Sequence, residues 1–72
     1  MLVYVNFSNE KSAELFANLL KPNYSSISKL SDNKTIIVYE KNTVLSKEIT
    51  ESDALSIANL AKTFLGYQRI SY

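Results

Sequence analysis

The sequence predicts an α+β fold, specifically a ferredoxin-like βαββαβ domain whose antiparallel sheet carries two helices on one face. Three observations predict it. Short alternating segments suited to strands lie at both ends and in the middle of the chain. Two longer stretches with helical spacing separate them, which sets the order strand, helix, strand, strand, helix, strand. The two helical stretches also repeat one another at a constant offset of 41 residues: Glu10, Ala13, Ala17, Asn18, Leu19 and Lys21 meet Glu51, Ala54, Ala58, Asn59, Leu60 and Lys62. Two similar halves fit a pseudo-twofold plan, although the same offset sets Tyr4 against Leu45 rather than Tyr39.

The first strand is residues 2–7, with Val3, Val5 and Phe7 on one face and Leu2, Tyr4 and Asn6 on the other. Ser8 or Asn9 caps a helix that carries Glu10 in its first turn and runs to Lys21, where Pro22 ends it. Its apolar stripe is Ala13, Phe16, Ala17 and Leu20, widened by Leu15 and Leu19 toward the sheet. Residues 24–31 are serine-rich and alternate poorly, because Ile27 and Leu30 have opposite parity; they read as a bulged edge strand. A turn at Ser31-Asp32-Asn33-Lys34 leads into Thr35 to Glu40, the clearest strand, rich in β-branched residues. A second turn at Lys41-Asn42 leaves room for an optional short strand over residues 43–47, with the stretch 43–49 otherwise a link. Thr50 caps the second helix, with Glu51 and Asp53 in its first turn, and the apolar positions continue through Phe64 and Leu65 to Gly66 as a left-handed stop. Residues 67–72 make the final strand.

Seventy-two residues form a single domain, 1–72, and Leu, Ile, Val and Phe together supply enough apolar side chains for a folded core. The core is small, and no cysteine is present to staple it, so a homodimer is one expected source of further buried surface. The amino terminus has no basic stretch followed by a long apolar run, and no segment is long enough to span a membrane; a cytoplasmic location is expected. A formal charge of +1 supplies no general attraction to nucleic acid or to an anionic bilayer. The abundance of Asn, Lys, Ser, Ile and Tyr beside one Arg, one Gly and no Trp is the skew of an AT-rich genome, which suits a phage or virus and many bacteria.

Most catalytic designs fail on inventory. With no His and no Cys there is no imidazole base, no thiolate and no common zinc set, and one glycine cannot build a phosphate-cradling loop. Ser26-Ile27-Ser28-Lys29 and Ser31-Asp32-Asn33 match the S-x-x-K and S-D-N patterns of serine β-lactamases, but a strand sends Ser26 and Lys29 to opposite faces. They read instead as a serine-rich edge and an Asx-type turn. Glu10 with Glu14, and Glu48, Glu51 and Asp53, are acidic clusters that helix starts explain. The expectation is no enzyme and no cofactor.

The binding expectation rests on the face the helices leave open. If Val3, Val5, Phe7, Ile36 and Val38 meet the helices, then Leu2, Tyr4, Ile37 and Tyr39 form an uncovered apolar and aromatic surface on the two central strands, with Arg69 nearby on the last one. These five residues are the candidate binding site. The expected function is a small protein-binding module, in its sharpest form a phage or viral accessory protein that binds and inhibits a host factor such as a defence system. The alternative is a single-stranded nucleic-acid binder that stacks bases on Tyr4 and Tyr39, with Lys34, Lys41 and Arg69 on phosphates. The near-neutral charge makes nucleic acid the weaker expectation.

Overall fold

The computed structural model describes residues 2–42 and 48–72, and places six elements in the expected order. They are β1 (Val3–Phe7), α1 (Glu10–Leu20), β2 (Ser26–Lys29), β3 (Thr35–Glu40), α2 (Glu51–Ala61) and β4 (Tyr67–Ser71). The strands form one four-stranded sheet in the order β2-β3-β1-β4, and every neighbouring pair is antiparallel. The architecture is α+β. The proposed strand over residues 43–47 lies outside the described residues.

Alternation decides which side of the sheet is covered. Register sets Val3 against Val38 and Val5 against Ile36, and all four side chains are fully buried. Val5 also faces Ile70 of β4, and Val38 faces Ile27 of β2, so one surface of all four strands is apolar. Both helices lie on it: Ala13, Phe16, Ala17 and Leu20 of α1 and Ala54, Ile57 and Ala61 of α2 join the same core. Its densest part is aromatic. The Phe7, Phe16 and Phe64 rings stand 5.2 to 6.1 Å apart at tilted or edge-to-face angles, the arrangement that ring quadrupoles favour.

The helices start as their sequences dictate. The Asn9 side chain accepts the Ser12 N–H at 2.8 Å, and Thr50 with Asp53 closes a reciprocal capping box. The 41-residue repeat holds for both helix boundaries, and β2 and β4 begin at that offset as well. It fails only between strand and helix, where two residues link β1 to α1 but ten link β3 to α2.

Three expectations need correction. Leu15 and Leu19 do not join the covered stripe; both are about half exposed, because Ser12, Ala13, Phe16, Ala17 and Leu20 already fill the arc facing the sheet. The second helix ends at Ala61 rather than at Gly66. Thr63 and Phe64 donate their N–H groups to Leu60 and Ala61, a tightened turn, and the Thr63 hydroxyl takes the Leu60 carbonyl at 2.6 Å. This turn carries Phe64 back into the aromatic cluster. The serine-rich edge strand is shorter than residues 24–31, and Leu30 falls outside it, so the parity conflict with Ile27 disappears.

Gly66 has a different task from helix stop. Its φ of +88° belongs to the turn entering β4, and a Cβ there would sit 2.6 Å from both Asn9 Nδ2 and Ser8 Oγ. The turn is tied to the start of α1, since Ser8 N–H donates to the Gly66 carbonyl and the Ser12 hydroxyl and Asn9 amide both donate to the Leu65 carbonyl. These bonds satisfy Ser12, the one buried polar side chain of the described residues.

Candidate functional site

The open face of the sheet is assembled from the residues that alternate with the core. Tyr4 lies between Ile37 of β3 and Ser71 of β4, and Asn6 lies between Thr35 and Arg69. Leu2 and Tyr39 follow Val3 and Val38, the last pair of that register, and stand at its end, where β3 shifts register by one residue against β2. Tyr4 and Ile37 thus meet on the two central strands, with Arg69 paired to Asn6, the next open-face residue of β1. Leu2 is 48% exposed, Tyr4 37% and Tyr39 36%, and neither helix covers them.

A shallow hollow of about 240 Å³ opens beside Tyr4, lined by Tyr4, Asn6, Leu30, Thr35, Arg69 and Ser71. Its polar groups form an ordered chain. Asp32 accepts the Lys34 and Thr35 N–H groups at 2.8 and 3.0 Å and the Thr35 hydroxyl at 2.8 Å; the Lys34 N–H bond and then the Thr35 hydroxyl hold its carboxyl below the usual carboxylate range. An ionised carboxylate cannot donate, so the Thr35 hydrogen points to Asp32 and its oxygen accepts the Asn6 Nδ2 at 3.0 Å. Among the described residues the Asn6 carbonyl oxygen has no donor. The sequence showed the Asx turn but not this relay; Asn6 and Thr35 meet only once the register of β1 on β3 is known.

A second and larger hollow, about 360 Å³, lies between Leu20, Tyr24, Lys41, Asp53, Ile57 and Leu60. The Lys41 ammonium sits 2.5 Å from Asp53 Oδ1. Burial pulls the Asp53 carboxyl upward, but Lys41 and the N–H and hydroxyl of Thr50 outweigh it and hold the group below its ordinary range. The same bond raises Lys41, while burial, aided by Asp53, raises the Tyr24 phenol. At neutral pH this hollow holds a neutral phenol and a mutually engaged ion pair, an arrangement that fixes charge rather than moving a proton. It also withdraws Lys41 from the cations expected to meet phosphates. Lys34 lies in the β2–β3 turn, which leaves Arg69 as the only cation that the described strands set on the open face.

The Ser26 hydroxyl donates to Glu40 at 3.1 Å and Lys29 faces Ile36 in register, so neither meets the other. Among the described residues no group of three or more acidic side chains could hold a metal ion, and no helix is long and apolar enough to cross a membrane. Comparison with protein-family models, curated proteins and solved structures yields no match to this chain.

Proposed function

We propose that this chain is a non-catalytic protein-binding module on a ferredoxin-like scaffold, and that Leu2, Tyr4, Ile37, Tyr39 and Arg69 on the open sheet face contact its partner. The observation that carries the reading is the face itself: aromatic and aliphatic side chains on both central strands, with both helices of the described residues on the opposite side. A few large aromatic anchors supply most of the energy at protein interfaces, and Tyr4 and Tyr39 are of that kind. For the scaffold, the support is the antiparallel order β2-β3-β1-β4 with two interleaved crossovers, one through each helix, and the repeat that relates them. The sharpest form of the reading is a phage or viral accessory protein that inhibits a host factor in the host cytoplasm, which the AT-rich residue skew accommodates as it does many bacterial genes.

The test is capture from host lysate by tagged wild-type chain and by Tyr4→Ala and Tyr39→Ala variants whose circular dichroism is unchanged. A protein retained by the wild type and lost with both variants supports the reading. Equal retention by all three chains contradicts it. Self-association through the same face is the competing use, favoured by its apolar character, and sedimentation equilibrium detects it as a species of twice 8.1 kDa.

A further inference from the structure

The open face is chemically lopsided. Asp32, in the turn beside it, already accepts three donors of that turn. Arg69 has no carboxylate within ion-pair distance among the described residues. It stands beside Asn6, whose amide donates one N–H to Thr35 as the relay from Asp32 requires, an orientation that keeps its carbonyl oxygen as an acceptor. The hollow they share thus offers a forked cationic donor, a neutral acceptor and the edge of Tyr4, with Leu30 as an apolar wall.

We infer that the partner segment seated on this face is acidic and apolar at once: it presents an aspartate or glutamate to Arg69, donates a neighbouring main-chain N–H to Asn6, and covers Tyr4 and Ile37 with aliphatic or aromatic side chains. The inference rests on the protein-binding reading above and adds the chemistry of the partner. Arg recognises carboxylates in a planar two-bond geometry, and Asn6 selects for an anion that carries a donor alongside it, as a peptide does. A nucleic-acid strand fits less well, because successive phosphates need successive cations and the described strands set one on this face. A second copy of this chain also fits less well. Asp32 is engaged by its own turn, Glu40 bonds Ser25 and Ser26 of the β2 edge, Glu10, Glu14, Glu51 and Asp53 belong to the helix layer on the other side, and Glu48 stands in the link before α2.

The experiment is selection of a random displayed peptide library on the immobilised full-length chain, followed by anisotropy titration of the most enriched peptide. The expected result is enrichment of Asp or Glu next to Leu, Ile, Phe or Trp. Affinity is expected to fall by about tenfold or more in Arg69→Glu and to recover when the peptide's acid is replaced by Lys. Arg69→Gln serves where Arg69→Glu alters the circular dichroism, and Lys62→Glu in the helix layer is expected to bind as wild type. Peptides lost with Tyr4→Ala but indifferent to Arg69 would overturn the acidic partner and leave the contact face standing. No enrichment, or peptides indifferent to Tyr4 and Arg69 alike, would overturn both. Arg69-dependent binding of oligouridylate near 150 mM salt, or an Arg69-dependent dimer in sedimentation, would replace the acidic peptide by nucleic acid or by a second copy.

Discussion

The two faces of the sheet are built from alternate residues of the same strands, and they are finished in opposite ways. On the covered face Val3, Val5, Phe7, Ile36 and Val38 are buried to within one percent of completely and meet the side chains of both helices. On the open face Tyr4 and Ile37 pair with one another, and neither they nor Leu2 and Tyr39 are covered by either helix. Polar residues show the same division. Among the described residues the covered face buries one polar side chain, Ser12, bonded to the Leu65 carbonyl, whereas the open face has an oriented chain from Asp32 through Thr35 to Asn6 that ends on an acceptor next to Arg69. Burial is what stabilises a chain of this size. On the function proposed above, the open face holds Tyr4, Ile37 and Arg69 in register for a partner.

The largest effect is expected from removing an aromatic ring from the covered face. Phe16→Ala or Phe7→Ala is expected to cost about 3 to 5 kcal/mol. In a domain whose total stability is of order 5 kcal/mol, urea titration is expected to find such variants largely unfolded without denaturant. Gly66→Ala comes next, at about 2 kcal/mol, since a residue with a Cβ strains at positive φ and would collide with Asn9 and Ser8. Its unfolding midpoint in urea is expected to fall accordingly, with the slope of the transition unchanged.

The α2 start gives a smaller effect with a pH signature. Thr50→Ala removes the cap and one donor to Asp53, and is expected to cost about 1 kcal/mol. The Asp53 carboxyl lies below its unfolded value, so its contribution is present above about pH 4 and is lost as the pH falls through the lower folded value. The exposed Asp32 titrates in the same direction. Asp53→Asn is therefore expected to flatten the acid limb of stability against pH, measured by thermal melts between neutral pH and pH 2.

Much of this division was legible in the sequence because strand alternation and helix capping are local. Val3, Val5 and Phe7 alternate strictly, and Thr50 with Asp53 spells a cap, so β1 and the start of α2 follow from adjacent residues alone. The end of α2 did not follow, since it depends on the Thr63 hydroxyl reaching a carbonyl and on Phe64 finding Phe7 and Phe16 across the fold. Gly66 was readable as a positive-φ residue, but its neighbours Ser8 and Asn9 are more than fifty positions away. For the candidate site, the open-face residues came from parity, while the Asn6–Thr35–Asp32 relay required the register of two strands separated by a helix and a hairpin. The apolar flank of α1 misled because Leu15 and Leu19 continue its stripe by composition, whereas the sheet has room for one arc only.

The comparison is sharpened most by two neighbouring residues of β1. Tyr4 carries far more surface than Val5, so if both faces contributed equally to stability, truncating the tyrosine would do more harm. The decisive measurement is the free energy of unfolding in urea of Tyr4→Ala beside Val5→Ala. The account predicts about 2 kcal/mol lost for Val5→Ala, from a fully buried side chain and the cavity it leaves, and about 1 kcal/mol or less for Tyr4→Ala, the scale of a cross-strand pair on an open face. A Tyr4→Ala loss equal to or larger than that of Val5→Ala would contradict it and make the tyrosine face part of the protein's own stabilising core.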